Sequence, residues 1–435
     1  MTTAPVELSL NAGQQEVADG FFKFLLSSDP ELIISGAGGT GKSFLISQLV
    51  DKVIPSYNNT CAIMGIDPEY DEVFITATTN KAAEVLAENI KRPTQTIHSW
   101  LSLKVHSDYK TGKTTLTRTN GSRVQENKIL FIDEVSTMDT ELIELLRGLT
   151  HKCKIIFVGD HCQLAPVLES KPPIFKTPKP FFTLTEQMRN NTQPALMALC
   201  QQWRDTVETG VFKPIHLVPG VIDHLDNTTM PIELKNHLLD PDHNNRILCY
   251  TNDRVVAYNN HIRHIRNLPF EFQIGERLIN ANAVKLSHRM LSVEEELQIT
   301  AQSSNIEEVV VSADVTLKLR KTSFISNIGD VITDIPIPVN REHFTEVVKY
   351  FRQTKNWGSY FTFKEKYPEL RQRDGSTVHK AQGSTYDCVF IDLTNISTCH
   401  QVEQVARMMY VAVSRAKYRI FFYGQLAEKY GGVVL

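Results

Sequence analysis

The chain has 435 residues, more than one hydrophobic core usually supports, so two or three domains are expected. Hydrophobic residues at 42% and charged residues at 22% are ordinary globular values, and no run approaches the length of about 18 apolar residues that a membrane span needs, so a soluble protein is expected. The net charge of −3 argues against a protein that coats polyanions by charge alone, but it leaves room for a local basic groove.

MTTAPVELSL has neither a basic start nor a long apolar stretch, so it does not read as a secretion signal and the expected compartment is the cytoplasm. Seven cysteines lie scattered at 61, 153, 162, 200, 249, 388 and 399 without a C-x-x-C pair, so reduced thiols are expected rather than zinc ligands or disulfides.

Between residues 31 and 190, short β-rich runs alternate with helical patterns: ELIIS then KSFLISQLV, VFITA then NKAAEVLAENI, KILFIDE then TELIELLRGL, and KIIFVGD. That alternation predicts parallel strands with crossover helices, an α/β layer fold. VHSDYKTGKTTLTRTNGS (105–122) interrupts it with a polar TGK tip between two extended arms, which reads as a β-hairpin projecting from the first domain. A second α/β region starts with RILCYT and the helix DRVVAYNNHIRHI and resumes with DCVFID and YRIFFYG. Between its halves, LQITAQ, EEVVVSADVTLKL and NIGDVITDIPIPV predict the strands of a small barrel, followed by the aromatic and basic segment VVKYFRQTKNWGSYFTFKEKY. The expected domains are 1–190, carrying the hairpin at 101–124; 191–280 with 371–435; and the inserted β module with its helical extension at 281–370.

GAGGTGKS (36–43) fits G-x-x-x-x-G-K-S between a predicted strand and helix, the context in which the pattern carries meaning. Backbone N–H groups around Gly36, Gly38, Gly39, Thr40 and Gly41 can surround a phosphate, Lys42 can reach the outer phosphates, and Ser43 can ligate magnesium. KILFIDEVSTMD then delivers Asp133 as a magnesium partner, beside Ser43, and Glu134 as a water-activating base. The implied cofactors are ATP, or another nucleoside triphosphate, and Mg2+. Asp160 and Gln163 follow the strand KIIFVG, where a glutamine can sense the terminal phosphate, while Arg189 and the distant Arg415 can pair with phosphate charge in the transition state.

Read in order, GAGGTGKS, TATTNKAAEVL, TIHSWL, FIDEVSTMD, GDHCQLAPV, LTEQMR, STVHKAQGSTYD and YVAVSRAK resemble the superfamily 1 helicases, in the RecD-like branch that includes phage members. The resemblance runs from LNAGQQEVA to FFYG. It implies an α/β fold of two RecA-like P-loop motor domains with ATP between them, a hairpin pin in the first, and an SH3-like β insertion plus helical extension in the second. It places Gln14 at the adenine, with Gln15 as the neighbouring register, and Gln382 and Gly383 at the γ-phosphate. It also implies DNA contacts by Thr78, Asn80, His98, Thr251, Asn252, Thr377, His379 and Lys380. Read alone, Thr78 and Asn80 fit helix caps, and His98 a core histidine, better than they fit DNA contacts. Hydroxyls, amides and helix N-termini can hold phosphates without concentrated positive charge, which suits an acidic chain.

Ser414 stands where relatives often carry threonine, a mild change, and the pin segment matches in position and turn character alone. Trp357, Tyr360 and Phe361 can stack bases or pack a core; His261 and His264 lack a third ligand, so no further metal is assigned. The leading expectation is an ATP-dependent DNA helicase moving on single-stranded DNA, 5′ to 3′ by resemblance, that opens fork-like duplex DNA. It would act as a monomer in the cytoplasm, a phage host's if phage-encoded, beside replication or single-strand-binding proteins. The alternatives are a DNA-stimulated ATPase switch or remodeller without processive unwinding, and a small-molecule kinase, which the second α/β region disfavours.

Overall fold

The computed structural model describes residues 9–434 apart from 167–168, 170, 177–178, 187–192, 287–288, 313–314 and 328. The chain divides into two compact units, Met1–Lys104 with Leu116–Thr192, and Val105–Thr115 with Gln193–Leu435. Among the described residues no helix is long and apolar enough to cross a membrane.

The first unit is built on six parallel strands in the order Phe181–Leu184, Glu31–Gly36, Lys154–Gly159, Lys128–Asp133, Glu72–Ala77 and Gln95–Thr96. The apolar runs of these strands are continuous because helices cover both faces. Thus Leu32 and Ile34 enter one core with Phe21, Phe131 and Val158, while Ile33 enters the other with Leu130, Ile132 and Leu146. The helix after the phosphate loop runs as Lys42–Gln48, a wide π turn Leu49–Val53, and Ile54–Ile63. The wide turn ends two residues before Pro55, whose ring cannot join a regular ladder; the intervening Ile54 N–H reaches back five residues to Leu49.

In the second unit five parallel strands lie in the order Ile222–Leu225, Ala416–Tyr423, Tyr386–Asp392, Arg246–Cys249 and Gly375–Thr377. The inserted module is a separate antiparallel sheet of Val331–Pro338, Val315–Ser326, Glu296–Ser312, Arg277–Asn280 and Leu370–Gln372. Its strands differ from the expectation. LQITAQ and EEVVVS form one 17-residue strand, and the chain reverses between them and VTLKL, so EEVVVSADVTLKL is a hairpin and not one strand. Register shifts near Ala301 and between Gln302 and Ile306 break the alternation that would have revealed a single long strand. Helices Arg341–Gln353 and Trp357–Lys366 follow, with Phe344, Phe351 and Phe363 packed against Leu317 and Leu319.

The hairpin forms as the turn chemistry requires, with arms Leu103–Ser107 and Thr114–Arg118. Asp108 accepts the N–H groups of Lys110 and Thr111, and Gly112 takes a left-handed φ of 73° to close the turn. The tip does not simply project. Tyr109 meets Phe361 edge-on at 5.5 Å, its hydroxyl lies 3.3 Å from the Glu365 carboxylate, and a β-carbon on Gly112 would come within 2.4 Å of the Trp357 ring. Phe361 and Trp357 therefore serve packing, the plainer of the two readings made from sequence.

Candidate functional site

Four neighbouring strands of the first sheet end at the same carboxyl edge: Gly36 leads into the phosphate loop, Asp133 closes the carboxylate strand, and Gly159 and Ala77 lead into the next two loops. The registers Ser35 to Gly159 and Ala77 to Asp133 hold these ends level. Ligands bind at such edges in open parallel sheets.

The phosphate loop has a fixed shape. Gly36 lies so close to Thr40 Oγ1 and Leu184 that a β-carbon would come within 2.6 Å, and Gly41 caps the helix at φ 79°. Lys42 folds back over the loop, with Nζ donating to the carbonyls of Gly36 at 2.8 Å and Ala37 at 3.1 Å. Gln14 is fully buried: it completes a capping box with Asn11 and donates through Nε2 to the Thr40 carbonyl at 3.4 Å. Gln15 instead pairs with Asp19 on the surface, so it is Gln14 that touches the phosphate loop.

Burial pushes the Asp133 carboxyl above the ordinary carboxylate range, while the nearby Lys42 ammonium and the Glu134 N–H oppose that shift. Asp133 Oδ1 is buried without a hydrogen-bond partner. An orphaned carboxylate oxygen within the field of Lys42 and beside the loop carrying Ser43 fits a divalent cation held between carboxylate, hydroxyl and phosphate. Glu134 sits in the left-handed region at φ 56° and ψ 38°, sparsely populated for a non-glycine residue. Its carbonyl accepts the hydroxyls of Thr78 at 3.2 Å and Thr137 at 3.0 Å.

Gln163 is buried and accepts from Ser136 at 3.5 Å, which brings it to the turn after Glu134. His161, which the sequence reading passed over, ties this loop to the phosphate-loop strand through Ser35 Oγ at 2.8 Å. A histidine two residues before Gln163 was the available signal. Arg189 falls outside the described residues.

Thr78 is not the helix cap that the plainer sequence reading allowed. At 7% exposure it faces inward, hydrogen-bonded to Glu134 and Thr137, because its strand ends against the carboxylate turn; the helix cap is Thr79. Asn80 is exposed at the start of that helix, and His98 follows the neighbouring strand. Burial holds the His98 imidazole below its usual range, so it presents a neutral ring.

In the second unit, Thr251 and Thr377 follow adjacent parallel strands, and the Val378 N–H donates to Cys249 at 2.8 Å. Thr251 caps the helix Asn252–Ile265 and is fixed by Asn395, whose Oδ1 accepts the N–H groups of Tyr250 and Thr251. Thr377 is buried, and its hydroxyl accepts from Lys380 N, capping the turn that carries Lys380. His379 lies against Tyr250 and Gln404, held neutral by burial. Lys380 is ion-paired with Glu294 at 3.1 Å. Arg415 is buried, donating to the carbonyl of Ser384 at 3.1 Å and to Ser414 Oγ at 2.8 Å, so the structure joins it to the loop of Gln382 and Gly383.

Residues 24–169 match the family model described as an AAA domain, and residues 375–423 match the UvrD-like helicase C-terminal domain. The chain is 22% identical to the ATP-dependent DNA helicase dda of Enterobacteria phage T4, over 95% of this chain and 99% of that one. The chain is a superfamily 1 helicase of the Dda-like kind. The helicase is equally similar, at 22% identity over 95% of its length, to an uncharacterized protein of Acanthamoeba polyphaga mimivirus, of which it covers 99%. The crystal structure of a Bacteroides Pif1 helicase with ADP-AlF3 and single-stranded DNA superposes with a TM-score of 0.52 at 14% identity, covering 99% of this chain and 95% of that one, which establishes a shared fold.

Proposed function

We propose that the helicase hydrolyses ATP with Mg2+ to move along single-stranded DNA, 5′ to 3′, and to open forked duplex DNA with the hairpin tip as strand separator. The observation that carries this reading is the common strand edge at which Lys42, the orphaned Asp133 carboxylate and Gln163 converge, in a chain matching a DNA helicase from end to end.

Lys42 and the loop amides hold the outer phosphates, Ser43 and Asp133 hold the cation, and Glu134 takes the proton of the attacking water. The cation, when bound, neutralises charge developing on the phosphate oxygens. Gln14 borders the base, while Gln163, Arg189, Gln382, Gly383 and Arg415 respond to the terminal phosphate. DNA is held through Asn80, His98, Thr251, Asn252, His379 and Lys380, with Thr78 and Thr377 shaping the turns behind them. Among these DNA-holding groups Lys380 supplies the positive charge.

ATP turnover with and without single-stranded DNA, beside strand separation on forks bearing a 5′ or a 3′ tail, tests the reading. DNA-stimulated turnover with opening of the 5′-tailed fork is expected. Turnover indifferent to DNA removes the motor; stimulated turnover with neither fork opened leaves a DNA-bound ATPase switch.

A further inference from the structure

Glu294 lies in the turn before the 17-residue strand of the inserted module, in the left-handed region at φ 64°. Few residues besides glycine occupy that region without strain, so the conformation persists because its surroundings impose it. The Glu294 N–H donates to the Asn280 carbonyl at 2.8 Å, and Glu295 secures the same turn by accepting from Ser292 N and pairing with Arg289. The turn delivers one carboxylate oxygen to two cations, Lys380 Nζ at 3.1 Å and Arg371 Nη2 at 2.5 Å. Lys380 belongs to the HKAQG block beside Thr377 and His379; Arg371 lies on the short strand Leu370–Gln372 that leads into it. The neighbouring Arg373 has a different fate, bound to Glu296 and to the carbonyls of Pro241 and His243.

An oxygen anion between a lysine and an arginine occupies the place a phosphodiester oxygen would take, since both cations recognise carboxylate and phosphate alike. The side chains are 31%, 22% and 18% exposed for Lys380, Glu294 and Arg371, so the group is open to an incoming strand. We infer that Lys380 and Arg371 form a phosphate site for the tracked strand and that Glu294 is its built-in placeholder, displaced when DNA arrives. The inference rests on the reading of Lys380 as a DNA contact and adds Arg371 and Glu294 to it. Glu294 therefore weakens DNA binding, the opposite of what an ordinary stabilising ion pair would do.

The test is equilibrium binding of fluorescein-labelled oligo(dT) to the full chain without nucleotide, across a salt series. Glu294→Gln is expected to bind roughly three- to fivefold tighter at low salt, the range of an exposed ion pair. Its log affinity against log salt should steepen by about 0.7, one further phosphate neutralised on a single strand. Lys380→Ala and Arg371→Ala should each weaken binding, and each should cancel much of the gain when combined with Glu294→Gln. Glu294→Gly removes the same carboxylate at a backbone position glycine prefers, so it guards against misfolding of the first variant and should reproduce the gain. Unchanged or weaker binding in both Glu294 variants, with Lys380→Ala still weakened, overturns the placeholder alone. Unchanged binding in Lys380→Ala overturns the DNA-contact reading beneath it.

Discussion

Glu134, proposed above as the base, holds a backbone posture that the chain resists. A left-handed non-glycine residue costs roughly 1–2 kcal/mol, and here two threonine hydroxyls on its carbonyl hold it in place. Glu134→Gln is expected to bind ATP near wild-type strength while turnover falls about 100-fold or more, the loss of a general base. Direct nucleotide binding checks this; absence of binding would make Glu134 structural. Lys42→Ala, which removes charge compensation, should instead weaken nucleotide binding and abolish turnover. Thr78→Val separates two roles for a buried hydroxyl. Turnover should drop several-fold with DNA affinity unchanged, since the hydroxyl reaches Glu134; a drop in affinity alone would restore the direct DNA contact. The placing of Lys42, Asp133 and Gln163 just beyond parallel strands was legible because strand–loop–helix alternation leaves a regular pattern. The inward turn of Thr78 and the Glu294 pairing were not, because rotamers and partners hundreds of residues distant leave no local pattern.

At the scale of elements, the parallel strands were legible as continuous apolar runs, since both faces are covered, and the hairpin was legible from its polar tip. The seating of that tip was not, because Tyr109 and Phe361 are 252 positions apart in the numbering. Replacing Asp108–Thr115 with a short Gly-Ser turn should preserve most of the DNA-stimulated ATPase and single-strand movement while greatly reducing fork opening. Base pairs cost roughly 1.4 kcal/mol per step to open, so a compliant tip fails where a stiff one succeeds. Fork opening at the wild-type rate would remove the hairpin from the mechanism, and collapse of the ATPase would make it part of the motor fold. The strand that begins at Glu31 carries a separate liability. Burial raises its carboxyl, but hydrogen bonds from Arg147 and Lys179 outweigh this and hold it below the usual range. A depressed folded value means its stabilisation is complete above the unfolded value and is lost as pH falls through the folded one. Acid unfolding followed by circular dichroism should therefore show Glu31→Gln less sensitive than wild type to pH below about 4.

The whole chain is acidic, with a net charge of −3, yet it belongs to a family that works on a polyanion. Its proposed DNA contacts are amides, hydroxyls and neutral imidazoles more than cations, so affinity for single-stranded DNA should depend weakly on salt. A log–log slope of about −1 to −2 is expected, corresponding to two or three phosphates neutralised. A slope of about −5 would mean a basic groove outside the residues named here. Arg415→Ala should depress DNA-stimulated hydrolysis although the phosphate loop belongs to the other unit; a wild-type rate would leave the second unit without a part in the chemistry.

The seated hairpin tip has a mechanical meaning. A projecting hairpin fixed only at its base is a cantilever, and the load of a parting duplex would bend it most at the tip, where stiffness matters. With Tyr109 braced on Phe361 and Gly112 pressed to Trp357, the tip is supported where it would otherwise swing freely. Were the hairpin the strand separator we propose, its two arms of five residues would meet the parting duplex with a braced tip.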